Sequence, residues 1–282
     1  MITRRTFLQG SAAGLAIVPA VSRLWAVESG APRIRLSSCA IDLINGKKAG
    51  LEGVEVNVGG PAEKLKIADP EHRAKLKEQM KETGLAVSSF MMGLFNSNPL
   101  ASDPRGPAWL EQSIEAAKDL GAHTILIAFF GKGSLKQGKE VKKADVDVVV
   151  ERIKAAAPKA KEAGVFLGIE NTLSAEQNME ILQRIGHDSV RIYYDCYNLT
   201  GEGYDIPAEI RLLKDRISIF HFKNGPDYLE GGKVKWEPIV AAIQEIKYEG
   251  WVVLECSAPS KDRVADDKKN ADYVRKLFGI GP

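Results

Sequence analysis

Four apolar segments of this chain each end in a residue that can ionise or bind a metal. The segments read VFLGIE, VRIYYD, ISIFH and WVVLE, and their last residues are Glu170, Asp195, His221 and Glu255. A strand that is covered on both faces of a parallel sheet is nearly all apolar. A charged side chain at the end of such a strand is costly unless it is paired or bound to a cation. The pattern therefore predicts that these side chains meet in one polar site.

A bound divalent cation is the simplest reason for three carboxylates to be brought together, because the cation offsets their mutual repulsion. Two Glu, one Asp and one His supply oxygen and nitrogen ligands, which suit Mn, Mg, Co or Zn rather than a metal bound by thiolates. Taken singly, a Glu at a strand end is usually solvated, and a lone His is usually an ordinary core residue. Four such residues at the ends of successive strands predict a site for one divalent metal ion.

The rest of the sequence alternates short apolar segments with amphipathic ones that carry apolar residues at three- and four-residue steps. The predicted strands are Arg33–Ile41, Gly53–Gly59, Leu85–Met92, His123–Phe130, Val165–Asn171, Val190–Asn198, Ile217–Asn224 and Trp251–Cys256. The predicted helices are Glu71–Thr83, Trp109–Leu120, Val146–Ala163, Ala175–Ile185, Pro207–Asp215, Trp236–Ile246 and Asp262–Leu277, with a short, degenerate one within Asp42–Leu51. Strand followed by helix, repeated about eight times, predicts an α/β fold consisting of a single (β/α)8 TIM barrel.

Several predicted helices stop at a glycine just before the next strand, which is typical of helix C-termini because glycine tolerates the left-handed conformation. These glycines are Gly84, Gly121, Gly164, Gly186 and Gly250. In a TIM barrel the carboxyl ends of the strands form the catalytic face. The fifth to eighth strands would therefore direct the four predicted ligands towards one point on that face.

Three further residues are candidates for substrate binding. Lys223 lies two residues after His221, so strand alternation points both side chains the same way, towards a substrate or a structural ion pair. Glu55 and Asn57 share the predicted inward face of the second strand, where they would bind substrate or support the ligands.

The segments GIEN, YYDCYN, HFKN and VVLEC, which contain the four predicted ligands, resemble the metal-binding segments of the xylose isomerase-like barrels. These proteins are the sugar isomerases and epimerases often labelled sugar phosphate isomerase/epimerase. The resemblance covers essentially the whole chain after its N-terminal segment. It implies that one divalent ion is held by the four residues and that Glu170 and Glu255 also act as acid and base. Ketose epimerases of this family carry a substrate-binding histidine where this chain has Asn198. The resemblance therefore implies that Asn198 is a further substrate-binding candidate, but the change from histidine means that the substrate preference of those enzymes does not transfer directly.

The predicted activity is that of a metal-dependent sugar isomerase or epimerase, which removes a proton beside a carbonyl and stabilises the enediolate formed. The same proton abstraction can end in loss of a hydroxyl group, so a metal-dependent sugar lyase or dehydratase is an alternative. A sugar-binding protein without catalysis is another. A DNA-repair nuclease of the related barrel group needs several metals and many histidines, whereas this chain has four histidines.

The N-terminal segment is typical of a twin-arginine export signal. Arg4 and Arg5 precede an apolar run from Gly10 to Ala20, and small residues then offer cleavage after Ala20 or Ala26. The sequence thus predicts a signal peptide over 1–26, a barrel domain over 27–282, a periplasmic location and membrane contact only during export. An exported enzyme would rarely meet sugar phosphates. Gly231 and Gly232 are only weak evidence for a phosphate-binding loop. A non-phosphorylated sugar or keto-sugar derivative is therefore the expected substrate.

The charge balance argues against a nucleic-acid-binding protein. The 282 residues include 39 Lys and Arg and 37 Asp and Glu, which gives a formal net charge of +2. Proteins that bind nucleic acids usually carry a much stronger positive field. The expected partner is a small carbohydrate and no nucleic acid, and the sequence leaves a homo-oligomer open.

Overall fold

The strands of the computed structural model, which describes residues 34–281, close into one parallel barrel. The predicted signal segment 1–26 lies outside the described residues. The eight barrel strands are β1 Ile34–Ser38, β2 Gly53–Asn57, β3 Ala86–Met92, β4 Thr124–Ala128, β5 Phe166–Glu170, β6 Val190–Asp195, β7 Ile217–Phe222 and β8 Gly250–Leu254. Each strand pairs with its neighbours in chain order, and β8 pairs in parallel with β1. The predicted single (β/α)8 TIM barrel is confirmed.

Helices follow the strands along the described part of the chain. They are α1 Leu43–Lys48, α2 Pro70–Thr83, α3 Gly106–Leu120, α4 Lys143–Ala163, α5 Ala175–Ile185, α6 Cys196–Gly201, α7 Ile206–Leu213, α8 Trp236–Glu245 and α9 Arg263–Phe278. Short 3-10 helices span Lys66–Ala68, Gly93–Asn96, Gly131–Gly133 and Lys214–Arg216, and a small antiparallel hairpin pairs Lys136–Gln137 with Glu140–Val141. Between residues 34 and 281, no helix combines the length and the apolar character needed to cross a membrane.

Glycine ends several helices as predicted, with one exception. Gly84, Gly121, Gly164 and Gly186 cap α2, α3, α4 and α5 in the left-handed conformation, with φ between 65° and 72°. Gly250 does not end a helix, because α8 already stops at Glu245 and Gly250 begins β8. A glycine is needed there for another reason, since a Cβ at this position would lie 2.6 Å from the hydroxyl oxygen of Tyr248.

The barrel interior contains a small apolar cluster, separate from the larger core between strands and helices. Its buried members are Leu126, Ala128, Tyr193, Ile219 and Val253. Full burial of one such aliphatic side chain contributes about 1.5–3 kcal/mol. Polar side chains are buried in the same interior, and the residues at the carboxyl ends of β5 to β7 are among them. The polar groups are therefore packed beside buried apolar side chains and shielded from water.

Candidate metal centre

The four predicted ligands converge at the carboxyl end of the barrel. Glu170 and Asp195 are the last residues of β5 and β6, His221 is the penultimate residue of β7, and Glu255 directly follows β8. Strand pairing places Asp195 opposite His221. One ligand atom from each of the four residues lies within 4.8 Å of the others. The structure thus brings together every residue of the set that the sequence singled out for metal binding.

The imidazole of His221 shows which of its nitrogens faces the other ligands. Its Nδ1 lies 3.3 Å from Glu170 Oε1, 3.3 Å from Glu255 Oε2 and 4.0 Å from Asp195 Oδ2. Its Nε2 lies 3.1 Å from Glu55 Oε1 on the other side of the ring. A carboxylate only accepts hydrogen bonds, so Nε2 donates to Glu55. Nδ1 is the nitrogen that faces the other three predicted ligands, and it is the atom of the ring placed to bind a metal ion.

The two oxygens of Asp195 have different surroundings. Oδ1 accepts a hydrogen bond of 2.7 Å from the backbone N–H of Asn198 and so caps α6. The capped helix ends β6 at Asp195, and the predicted extension of this strand to Asn198 is wrong. Oδ2 is buried, and Nζ of Lys223 lies 3.0 Å from it. A buried carboxylate oxygen that faces a cation and the other ligands is suited to binding a metal ion.

Lys223 lies beside the four predicted ligands, as strand alternation indicated. Its Nζ is 2.8 Å from Glu255 Oε2, to which it donates a hydrogen bond. It is also 3.0 Å from Asp195 Oδ2, with which it forms an ion pair. Burial by itself would lower the pKa of Lys223, but the carboxylates of Asp195 and Glu255 outweigh that effect and raise it. The ammonium group is therefore positively charged and already matched by two anionic partners.

The carboxyl groups of the site differ strongly in acidity. Burial raises the pKa of Glu170 to about 7, against the opposing effect of His221. Burial likewise raises the pKa of Asp195, against Lys223 and His221. The pKa of Glu255 is lowered to about 2, because His221 and Lys223 outweigh its burial. The side chain of Glu255 is 34% exposed, whereas those of Glu170 and Asp195 are buried.

These groups fit a divalent cation. Three carboxylates and one imidazole nitrogen converge, and the negative charge of the carboxylates exceeds what Lys223 alone offsets. Buried like charges are unfavourable, and part of the cluster holds its protons to avoid them. Oxygen ligands with one imidazole suit Mn, Mg, Co and Zn. A small cation between the donors would replace those protons and would be held by Oδ2 of Asp195 among its ligand atoms.

The structure separates Glu55 from Asn57, which the sequence placed on one inward face. Glu55 is buried against His221, while Asn57 is exposed and accepts a hydrogen bond from the backbone of Gly59. Asn57 is the last residue of β2, so it lies where the strand leaves the barrel. Strand alternation gives the two residues the same direction, but it does not tell where the strand ends.

The loop after β7 is organised by Asn224, the last residue of the HFKN segment. Its side-chain oxygen accepts hydrogen bonds from the backbone of Lys233 and Val234, and its amide donates to the carbonyl oxygen of Tyr228. Gly232 packs so closely on this amide that a Cβ would fall 1.0 Å from Asn224 Nδ2. The glycine therefore serves the packing of this loop, which explains its presence without a phosphate.

Comparison with known proteins gives a consistent family and a set of epimerase relatives. Residues 44–277 match the family described as xylose isomerase-like TIM barrel. The 2-epi-5-epi-valiolone 7-phosphate 2-epimerase of Actinoplanes sp. is 23% identical over 204 residues, which cover 70% of this chain and 69% of that protein. The D-psicose 3-epimerase of Agrobacterium fabrum is 23% identical over 212 residues, which cover 70% of this chain and 73% of that protein. The chain spans about two thirds of the length of curated relatives that it matches.

A solved structure shows the same fold. The structure of a D-psicose 3-epimerase in the presence of D-fructose superposes with a TM-score of 0.74 at 18% sequence identity. The superposition covers 87% of this chain and 99% of that chain. At this identity the likeness concerns the barrel, and the chemistry must be argued from the residues of the site.

Proposed function

The chain belongs to the xylose isomerase-like TIM barrel family, and we propose that it is a divalent-metal-dependent sugar epimerase, an enzyme of the isomerase class. The observation that carries the proposal is the position of two glutamates, Glu170 and Glu255, each 3.3 Å from the Nδ1 atom of His221. Relatives that are themselves sugar epimerases support the same reaction class. Inversion of one carbon needs a group that removes a proton and a second group that returns it.

We assign one ion, Mn, Co, Mg or Zn, to Glu170, Asp195, Glu255 and Nδ1 of His221. When bound, the ion would supply Lewis acidity to the substrate oxygens beside the reacting carbon and so acidify its C–H bond. Asp195 and His221 each have one donor atom committed elsewhere, to the cap of α6 and to Glu55. These two residues therefore act as ligands and have no spare atom for proton transfer.

Glu170 and Glu255 are the residues that can move a proton. They come from β5 and from the end of β8, with β6 and β7 between them, so they approach the shared space from different directions. Glu255 is partly exposed and can exchange its proton with solvent, whereas Glu170 is buried and holds its proton away from water. We propose that one of them takes the proton from carbon and the other delivers a proton to the opposite face.

Lys223 and Asn198 are the proposed substrate-binding residues at this end of the barrel. Lys223 already balances Asp195 and Glu255, so its ammonium group is better suited to a neutral hydroxyl or carbonyl oxygen than to a phosphate. Asn198 lies in the first turn of α6, where its backbone N–H is bonded to Asp195. These features favour a non-phosphorylated sugar or keto-sugar derivative.

The reaction can be tested by incubating the purified protein with keto- and aldo-sugars in deuterated water containing Mn, Co, Mg or Zn. We expect an epimeric product that carries deuterium at the inverted carbon, and no exchange after chelation of the metal. Loss of water would identify a lyase or dehydratase instead. Sugar binding without C–H exchange would identify a non-catalytic binding protein, and either result would overturn the proposed epimerase.

We also propose that residues 1–26 direct export through the twin-arginine route. Replacing Arg4 and Arg5 with Lys should retain the protein in the cytoplasmic fraction, because the route recognises the arginine pair. Cell fractionation and immunoblotting measure the distribution. The exposed Arg184, replaced with Lys, serves as the control. Equal periplasmic amounts of the double variant and the control would contradict the proposal.

A further inference from the structure

A buried carboxylate lies on the side of His221 that faces away from the proposed metal ligands. Glu55 Oε1 is 3.1 Å from Nε2 of His221, and Glu55 Oε2 accepts hydrogen bonds of 2.6 Å from both Ser89 and Tyr193. All of these side chains are buried, with exposed fractions of 3% or less. We infer that Glu55, Ser89 and Tyr193 form a positioning unit that sets the orientation and the protonated nitrogen of His221. This inference rests on the proposed metal centre.

The hydrogen-bond chemistry of the unit determines where its protons lie. An ionised carboxylate has no proton to donate, so Ser89, Tyr193 and the Nε2 atom of His221 must all act as donors towards Glu55. Because Glu55 accepts the proton on Nε2 at 3.1 Å, Nδ1 is the nitrogen that faces the carboxylates of Glu170 and Glu255, each at 3.3 Å.

The surroundings of Tyr193 fix the geometry of the unit. Its ring meets the imidazole of His221 edge-on, with centroids 4.6 Å apart and an angle of 67° between the planes. Gly168 on β5 leaves room for it, since a Cβ there would lie 3.2 Å from atoms of Tyr193. Apolar residues of the barrel interior pack around the same ring. The contact with Glu55 and the edge-on contact with Tyr193 together favour the orientation in which Nε2 of His221 faces Glu55.

A chemically similar pair outside the barrel interior provides a matched control. Glu209 on α7 is also buried, and it accepts a hydrogen bond of 3.0 Å from Tyr194 and one of 2.9 Å from the backbone of Ala175. Tyr194 follows Tyr193 in β6, so its side chain points to the opposite face of the sheet. No histidine contact of Glu209 occurs among the described residues. The two pairs therefore share buried Glu–Tyr chemistry but differ in their link to the metal centre.

The test is the affinity for Mn, measured by competition with a chelator. Glu55→Gln should bind the ion about 10–100-fold more weakly, the range found for groups that orient a ligating histidine. The reason is that a glutamine places an NH2 group against at least one of the donors and can no longer hold the proton on Nε2. Tyr193→Phe should weaken binding in the same direction by a smaller factor. Glu209→Gln and Tyr194→Phe should leave the affinity unchanged.

A second readout follows the protons directly. In the protein loaded with diamagnetic Zn, the nitrogen resonances of the His221 imidazole should report a protonated Nε2 and a metal-bound Nδ1. Glu55→Gln should shift this distribution, whereas Glu209→Gln should not. A role of Glu55 in stability alone would leave both the affinity of folded protein and the tautomer of His221 unchanged.

The outcomes separate the inference from the proposed function. Wild-type affinity in both Glu55→Gln and Tyr193→Phe would overturn the positioning unit, as would an equal loss in Glu209→Gln. If Glu55→Gln does not fold, Tyr193→Phe decides, because it removes a single hydroxyl group. A wild-type protein that binds none of the four ions would instead overturn the proposed metal centre itself.

Discussion

Replacing Asp195 with Asn should remove the divalent ion from the site and abolish proton exchange with the substrate. Asparagine keeps a side-chain oxygen that can cap α6, as Oδ1 of Asp195 does for the backbone N–H of Asn198. Its amide NH2 replaces the Oδ2 atom and presents a donor where the metal needs an acceptor. We expect the Mn affinity to fall by more than ~100-fold, beyond the loss expected for a group that only supports a ligand. Chelator competition and metal analysis after dialysis measure the change.

The same variant distinguishes a metal site from a structural ion-pair network. Burial already raises the pKa of Asp195, so the charged form is disfavoured in the metal-free protein. We therefore expect the metal-free variant to be at least as stable as the metal-free wild type. If Asp195 and Lys223 served mainly as a buried ion pair, removing one partner would cost about 3–5 kcal/mol. Denaturant unfolding in the presence of a chelator measures the sign of this difference.

Asp205 provides the matched control, because it caps α7 in the same way that Asp195 caps α6. Its side chain accepts a hydrogen bond of 3.1 Å from the backbone of Ala208. Aspartate and asparagine are nearly equivalent as helix caps, so Asp205→Asn should change neither stability nor metal binding. Metal retention at wild-type affinity in Asp195→Asn, or an equal loss in Asp205→Asn, would contradict the assignment of Asp195.

The features of the fold that are local in the sequence could be predicted from it. Alternating strand and helix patterns indicated the barrel, and charged residues at the ends of apolar strands indicated the convergence of Glu170, Asp195 and His221 with Glu255. The helix stop at Gly84 follows from the same local chemistry. A barrel brings the ends of consecutive parallel strands together, so local spacing was sufficient to locate the site.

The features that depend on distant contacts could not be predicted. The alternation of valines in β2 predicts the inward direction of Glu55, but Glu55 and His221 are separated by 166 positions, and their pairing depends on the closed barrel. The glycines at 232 and 250 are explained by side chains of Asn224 and Tyr248 that pack where a Cβ would be. The end of β6 at Asp195 could have been predicted from the sequence, because Asp is a favoured residue at the N-cap of a helix.

Replacing Glu170 with Gln should reduce proton exchange by about 10²- to 10⁴-fold, the usual contribution of a general acid or base. Glutamine has nearly the same shape and keeps one carbonyl oxygen that can remain near Nδ1 of His221, where Glu170 Oε1 now lies at 3.3 Å. The fold should therefore be retained, with the metal bound more weakly than in the wild type. Deuterium exchange into substrate, measured at saturating metal, separates the loss of proton transfer from the loss of the ion.

Glu255→Gln completes the test, because an epimerase that uses one carboxylate for each face of the carbon has a distinctive signature. Each single variant should lose exchange from one epimer while retaining some from the other, and both variants should lose net inversion. The reason is that the carboxylate left in place can still remove the proton from the face it serves. If Glu170→Gln and Glu255→Gln instead lost exchange from the same epimer only, a single residue would be removing the proton and the other would act solely as a ligand. Unchanged exchange in Glu170→Gln would remove Glu170 from the proton transfer altogether and leave its contact with His221 as its function.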